Sequence, residues 1–226
     1  FGEGRDHDLQ VFDETSLFLP DATCLRMGNL GYKSEAQKSL FVCYNDLQTY
    51  VDCLYQAMHT PYPEYESIGQ KVSGEYAQIN INLLQLENEF YSTIRPKRNV
   101  QSGERPLDAL TNSGIEYVEV RALDLDPYAP LGITAEQVRF LDTFLLHCLL
   151  AESPACDERE FFEVASNIAK VVECGRDLDL KLELESRTKG LKEWSLELME
   201  DLGHSAGLLD EAQGGTTYSE SLSNQL

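Results

Sequence analysis

The stretch GIEYVEVRALD, residues 114–124, decides the fold class of this chain. It is rich in β-branched and aromatic residues, and the turn-forming sequence DPYAP follows it, which together predict a β-strand that ends in a turn. Side chains alternate between the two faces of a strand. Tyr117, Glu119 and Arg121 therefore share one face, and the apolar residues between them take the other.

A second strand is expected upstream of this stretch. Between Gln78 and Tyr91 apolar and polar residues nearly alternate, and one slip in phase predicts a bulge. On such a strand Glu87, Glu89 and Tyr91 would point the same way. Three cations follow it: Arg95, Lys97 and Arg98.

Helical periodicity and capping signals predict the remaining regular elements. Asn45 can cap a first helix, Thr134 and Gln137 form a capping box, and Gly203 is a typical helix stop. The expected helices cover 45–60, 134–153, 157–174 and 191–202. With strands in the middle of the chain and a helical block after them, the fold class is α+β.

The charge of the chain limits its partners. With 39 acidic and 18 basic residues, its net charge of −21 repels phosphate backbones and anionic lipids, so neither nucleic acid nor membrane is an expected partner. No apolar run approaches the roughly 18 residues that a membrane span needs. Six cysteines without a C-x-x-C pair predict reduced thiols and a cytoplasmic protein.

Common catalytic motifs, such as GxxxxGK[ST], GxSxG and HExxH, are missing from the sequence, so any chemistry must come from local groups. Arg95, Lys97 and Arg98 form a cationic cluster in an acidic chain, which suits a phosphate or carboxylate; alternatively, they are a solvated loop that offsets nearby acids. Glu119 beside Arg121 suits a magnesium ligand next to a phosphate clamp. The alternative is an internal ion pair or an exposed sheet face.

A third group lies in the loop RMGNLGY, residues 26–32, where Arg26 and Tyr32 flank two glycines. The glycines permit close approach of the backbone, and the guanidinium could bind the carboxylate of a ligand. The alternative is an ordinary glycine turn.

Taken together and in this order, these segments resemble the proteobacterial glutamate–cysteine ligases, also called γ-glutamylcysteine synthetases. The resemblance is dense over roughly residues 20–150 and loose after Cys156. Six stretches carry it: LRMGNLGY (25–32), NDLQTYV (45–51), LENEFYSTIRPKR (86–98), SGERPLDAL (102–110), GIEYVEVRALDLDPYAPLGI (114–133) and EQVRFLD (136–142).

The resemblance implies an enzyme of glutathione biosynthesis, an ATP-dependent, ADP-forming ligase. It would join the γ-carboxylate of L-glutamate to the amine of L-cysteine through γ-glutamyl phosphate, with magnesium or manganese as the metal. It also implies that the strands belong to a curved antiparallel sheet like that of glutamine synthetase. The chain would then comprise a partial catalytic sheet region with one helix (1–133), a helical block (134–212) and a truncated polar tail (213–226).

The resemblance also implies roles for individual residues. Glu119 would bind the metal and Arg121, the catalytic residue, the transferred phosphate. The cysteine pocket would consist of Arg26, Tyr32 and Tyr91, with Arg26 on the cysteine carboxylate. The nucleotide and its phosphates would contact Tyr117, Arg95, Lys97 and Arg98.

Members of this family are roughly twice as long, and nothing here matches their acidic segment with further metal ligands. We therefore expect a piece of a longer protein that is inactive alone. Two alternatives remain open. One is a sister carboxylate–amine ligase that uses another amino acid, since Arg26 and Tyr32 would suit almost any α-amino acid. The other is a non-catalytic, acidic helical module that binds a partner protein, for which the face with Glu119 and Arg121 would have no use.

Overall fold

The computed structural model describes residues 9–31, 34–185 and 187–225. Within these residues none of the helices is both long and apolar enough to cross a membrane. Two short 3-10 helices cover Glu35–Gln37 and Glu87–Glu89. The α-helices are α1 Leu47–Ala57, α2 Pro63–Ile68, α3 Pro106–Ser113, α4 Ala135–Leu150, α5 Glu158–Cys174, α6 Leu191–Gln213 and α7 Thr217–Ser223.

The strands form antiparallel pairs, which confirms the α+β class. Each pair stands by itself, so the described part of the chain contains small two-stranded sheets in place of the expected curved sheet. The pairs are β1 Gln10–Val11 with β2 Leu17–Phe18, β3 Lys71–Val72 with β4 Glu75–Tyr76, β5 Ile94–Lys97 with β6 Tyr117–Val120, and β7 Lys181–Leu184 with β8 Arg187–Gly190.

The chain divides into two compact units, and each is assembled from separate segments. The strand-pair unit comprises Leu25–Leu123 and Ala155–Ala165, and the helical unit comprises Phe1–Cys24, Asp124–Pro154 and Ser166–Leu226. The sequence-based division at residue 133 assumed that each region is one continuous stretch of the chain. The assignment of a catalytic region before residue 133 and a helical block after it stays a prediction.

In the strand-pair unit, α1 is fixed by its cap and its apolar face. Asp46, one residue after the predicted cap Asn45, accepts a hydrogen bond from the N–H of Thr49 at 2.7 Å. The buried face of α1 packs into the core of the unit. That core contains Val42, Tyr50, Val51, Leu54, Ala57, Met58, Leu84, Phe90, Leu107 and Leu110.

The long strand predicted over 78–91 is wrong. Side chains there bind the backbone groups that a neighbouring strand would need: Asn80 Oδ1 accepts from the N–H of Asn82 at 2.9 Å, and Gln85 Oε1 accepts from the N–H of Ile79 at 2.8 Å. Such local hydrogen bonds compete with β pairing. The segment ends in a 3-10 helix, so the predicted common strand face at its end does not form.

The helical unit confirms the predicted capping box of α4. Thr134 Oγ1 accepts from the N–H of Gln137 at 3.2 Å, and Gln137 Oε1 accepts from the N–H of Thr134 at 2.8 Å. The helix begins where the sequence indicates and ends at Leu150, before the expected limit at Pro154.

The C-terminal part of the helical unit is more regular than the sequence suggests. The predicted stop at Gly203 is wrong, because α6 continues to Gln213. Leu202 and Ala206, close to the glycine, are fully buried, and this packing outweighs the roughly 1 kcal/mol that a helical glycine costs. Residues 213–226, expected as a polar tail, include α7, and its Leu222 packs on the same cluster.

Two further contacts organise the helical unit. Asp210 in α6 accepts hydrogen bonds from the N–H groups of Tyr218 at 2.8 Å and Ser219 at 3.0 Å, which ties α7 to α6. The segment before residue 24 joins a distant part of the same unit. The N–H of Thr23 donates to the carbonyl of Val172 at 3.0 Å.

Candidate active site

The β5–β6 pair brings two of the predicted groups onto one sheet face. In its antiparallel register Arg95 lies opposite Glu119, and Lys97 lies opposite Tyr117. The N–H of Arg121 donates to the carbonyl of residue 93 at 2.8 Å, which continues the pairing beyond the strand ends. The cationic cluster and the acidic strand, separate in the sequence, therefore form one surface.

Glu119 lies between two cations on this surface. Lys97 Nζ and Arg121 Nη1 are each 4.0 Å from Glu119 Oε2. Both distances exceed hydrogen-bond range. Among the described residues no donor hydrogen-bonds this oxygen, although it is buried. Glu87 also has a buried oxygen without an ideal hydrogen bond, but that oxygen lies only 2.9 Å from Arg105 Nη2.

The unsatisfied oxygen of Glu119 fits one ligand of a hard divalent cation. Magnesium in nucleotide sites takes one or two protein carboxylates and completes its shell with water and phosphate. The described residues contain no group of three or more His, Cys, Asp or Glu side chains able to hold a metal. At this surface the carboxylate of Glu119 is flanked by two cations whose charge suits phosphate.

Arg95 is the buried member of the cationic cluster, with 6% of its surface exposed. Its Nη2 donates to the carbonyls of Asn88, at 3.0 Å, and Phe90, while its Nε is buried without a hydrogen-bond partner among the described residues. Burial lowers the pKa of the Arg95 guanidinium, and the nearby charge of Arg121 lowers it further. Nε of Arg95 is thus an unused donor, on the residue that lies opposite Glu119 in the strand register.

Two tyrosines interact electrostatically with the same guanidinium. Burial raises the pKa of Tyr44 to about 12 and also raises that of Tyr50. The positive charge of Arg95 opposes both shifts. Both tyrosines therefore stay neutral at physiological pH, and Glu119 remains the acidic group opposite Arg95.

Arg98 departs from the predicted cluster. Its Nη1 donates to the carbonyl of Gly114 at 3.1 Å, and its position in the strand register puts it on the opposite face from Lys97. Arg95, Lys97, Arg98 and Tyr117 nonetheless line one cavity of about 310 Å³, which α1 and α3 complete.

The loop with Arg26 turns tightly, as the glycines predict. A Cβ atom at Gly31 would collide with the carbonyl oxygen of Arg26, so a larger residue there would force the loop apart. Tyr32 lies outside the described residues. Tyr91 follows the second 3-10 helix and is 38% exposed.

One residue near the site escaped the sequence analysis. Gln37, at the end of the first 3-10 helix, donates through Nε2 to the carbonyl of Glu89 at 2.9 Å. Its Oε1 accepts from the N–H of Tyr91 at 2.8 Å. A single glutamine in a polar loop carries no sequence signal for a contact more than fifty residues away.

Known proteins with similar sequences and structures identify the family of this chain. A sequence model described as glutamate–cysteine ligase matches residues 1–171. The chain belongs to the glutamate–cysteine ligase family. The resemblance drawn from the sequence is thereby confirmed, and the β5–β6 pair lies inside the matched range.

Individual relatives agree with this assignment. Glutamate–cysteine ligases of Pseudomonas entomophila and Hahella chejuensis are 48% and 49% identical over 225 and 222 residues. They match 100% and 96% of this chain but only 42% of their own length. The chain thus spans less than half of these relatives.

A solved structure shares the fold. Glutamate–cysteine ligase from Francisella tularensis, determined in complex with AMP, superposes with a TM-score of 0.89 at 35% identity. The match covers 98% of this chain and 44% of that one.

Proposed function

We propose that the full-length protein containing this chain joins the γ-carboxylate of L-glutamate to the amine of L-cysteine, at the expense of ATP. This is the first step of glutathione biosynthesis. Family membership supports the reaction class. The observation that carries it is Glu119, whose buried, unsatisfied oxygen lies between Lys97 and Arg121 on one sheet face.

The roles of these groups follow from phosphoryl transfer. When bound, magnesium or manganese would neutralise charge on the transferred phosphate and align it. Glu119 would be one ligand of that metal, and the other protein ligands would lie in the part of the relatives that this chain does not span. Arg121 can grip two phosphate oxygens with its planar guanidinium, and Lys97 adds a second positive charge.

The nucleotide would lie along the same strand pair. Tyr117 is 47% exposed and lines the cavity beside Lys97, so its ring can contact a base or ribose. AMP bound to the Francisella tularensis relative supports a nucleotide site in this family. We further propose that β5 and β6 belong to a larger curved sheet in the full-length protein, and that an enzyme consuming ATP in this way works in the cytoplasm.

The second amino acid would bind next to this surface. Arg26 would pair with the carboxylate of L-cysteine, and Tyr32 and Tyr91 would complete the pocket. Activation of glutamate as γ-glutamyl phosphate gives the cysteine amine an electrophile to attack, and both must be held within reach of each other. The positive charges of Lys97 and Arg121 suit this largely electrostatic chemistry.

The test is product analysis with the full-length protein. ATP, L-glutamate and L-cysteine should yield γ-glutamylcysteine by mass spectrometry, with one phosphate released per dipeptide. A product formed only when another amino acid replaces cysteine would favour the sister ligase. Absence of phosphate release with every amino acid tried would favour the non-catalytic interaction module and overturn the proposal.

A further inference from the structure

The backbone from Asn88 to Tyr91 is held by two side chains from elsewhere in the strand-pair unit. Arg95 donates to the carbonyls of Asn88 and Phe90, and Gln37 binds the carbonyl of Glu89 and the N–H of Tyr91. Side chains thus bind the backbone of four successive residues at the end of the second 3-10 helix and just after it. These contacts satisfy backbone groups that the short helix leaves unpaired, and they hold the segment in one conformation.

Gln37 is suited to this task because its carboxamide carries both a donor group, the NH2, and an acceptor, the carbonyl oxygen. Binding a carbonyl and an N–H together uses both, which also fixes the orientation of the group. Its own backbone is anchored, since its N–H donates to the carbonyl of Ser34 at 3.2 Å and its carbonyl accepts from the N–H of Leu40 at 3.1 Å. The preceding Ala36 is 2% exposed.

The position of Gln37 links two parts of the proposed cysteine pocket. It follows the loop that contains Arg26 by a few residues and binds the backbone of Tyr91 directly. We propose that Gln37 is a positioning residue of this pocket: it fixes Tyr91 relative to the Arg26 loop and thereby sets the affinity for the amino acid whose amine is acylated. This inference rests on the proposed function.

Loss of the carboxamide should displace the segment without unfolding it. The two hydrogen bonds from Arg95 remain in a Gln37 variant, and the ring of Phe90 stays in the core at 7% exposure. The side chain of Tyr91 would then sample more positions, and contacts to the bound amino acid would weaken. Phosphate-binding groups on the β5–β6 face would keep their places.

The experiment compares Gln37→Leu with the unaltered full-length protein. The KM for L-cysteine should rise about tenfold, the scale of two weakened hydrogen bonds, while the KM values for ATP and L-glutamate change less than about twofold. Gln78→Leu is the matched control. Gln78 Nε2 also bridges two backbone carbonyls, those of Tyr65 at 2.7 Å and Gly69 at 3.0 Å, but in a different loop. The Gln78→Leu variant should leave all three KM values unchanged.

Equal changes in all three KM values, or none for L-cysteine, would overturn the inference. Since KM does not depend on the amount of active enzyme, partial unfolding of the variant does not obscure the result. If Gln37→Leu cannot be purified folded, Gln37→Glu, which keeps the acceptor for Tyr91, takes its place with a smaller expected rise. If the unaltered protein makes no γ-glutamylcysteine, the proposed function has failed, and the outcome is distinct from failure of this inference.

Discussion

The two carboxylates of Glu119 and Asp210 differ in how their oxygens are used. Asp210 is 8% exposed and accepts one backbone N–H on each oxygen, from Tyr218 and Ser219. Glu119 has a buried oxygen that no donor among the described residues hydrogen-bonds, with two cations 4.0 Å away. Both carboxylate oxygens of Asp210 accept hydrogen bonds, whereas Oε2 of Glu119 accepts none from the described residues.

The physical cost of burial makes this difference informative. A buried polar atom without a hydrogen bond costs roughly 1–3 kcal/mol, so folded proteins satisfy almost all of them. Asp210 follows that rule through the N-terminus of α7, where an anion is also favoured by the helix dipole. One oxygen of Glu119 departs from that rule, although the side chain as a whole is 41% exposed, and this departure is the reason that we propose Glu119 as a metal ligand.

The largest effect should come from Glu119→Gln in the full-length protein. The substitution keeps the shape and removes the charge that attracts the metal, so activity should fall about a hundredfold, on the order of 3 kcal/mol. Thermal unfolding should be nearly unchanged, and excess magnesium should restore part of the activity. Initial rates over a magnesium titration, beside a melting curve, measure both.

Glu116→Gln is the control for this variant. Glu116 lies just before β6, and its carboxylate is already satisfied by the N–H of Asn99 at 3.0 Å and its Nδ2 at 2.9 Å. The activity of the Glu116→Gln variant should stay close to that of the unaltered protein. If Glu119→Gln instead lowers stability and keeps its activity, Glu119 is an ion-pair partner of Arg121, and the contrast with Asp210 disappears.

Arg26→Ala should have the next largest effect and sharpen the comparison at the amino-acid pocket. Loss of a charge-assisted contact to a carboxylate costs about 1.5–3 kcal/mol. The KM for L-cysteine should therefore rise roughly tenfold or more, with little change for ATP. Arg159→Ala, at an exposed arginine paired with Glu163 on α5, should change neither value. Equal effects of Arg26→Ala on both substrates would show that the pocket is misassigned.

Asp210→Ala tests the other side of the comparison. The variant leaves two N–H groups of α7 without their acceptor, so the full-length protein should melt a few degrees lower. All KM values should stay unchanged, because the contacts of Asp210 described above are with residues of α7. A fall in kcat at full stability would mean that Asp210 is not purely structural.

The smallest effect concerns pH. Burial acts to raise the pKa of Asp210, but hydrogen bonds from Ser219 and Tyr218 outweigh it and hold the pKa below its ordinary value. Because the folded-state pKa is depressed, this stabilisation is present above the ordinary value of 3.8 and is lost as pH falls through the folded pKa. The protection of α7 amides against exchange, relative to unstructured peptide at the same pH, should fall as pH drops below 3.8. Asp210→Asn should remove that pH dependence; an unchanged profile would contradict the assignment.

The sequence predicted correctly those elements whose own residues carry a clear pattern, such as a capping box or a run of β-branched and aromatic residues. The start of α4 at the Thr134 capping box depends on residues within a few positions of each other, and the strand at Tyr117–Val120 is indicated by its own β-branched and aromatic residues. The strand predicted over 78–91 failed because alternation cannot reveal that Asn80 and Gln85 bind the backbone. The stop at Gly203 failed because tertiary packing of α6 outweighs a local preference.

The candidate site was predictable only in part for the same reason. The face with Glu119 and Arg121 follows from the two-residue period of one strand. Its pairing with Arg95 depends on the register between strands some twenty residues apart, which no local pattern specifies. The contact of Gln37 with Tyr91 joins residues still further apart and could not be foreseen.

The bond between Thr23 and Val172 has a consequence for how the chain is made. A ribosome adds about 5–20 residues per second, so Thr23 is synthesised on the order of ten seconds before its partner exists. The strand-pair unit draws most of its residues from Leu25–Leu123 and can begin to fold during that interval. The bond of Thr23, in the helical unit, has to wait until the end of α5 has been synthesised. During synthesis, Thr23 therefore stays without this partner until Val172 has been added.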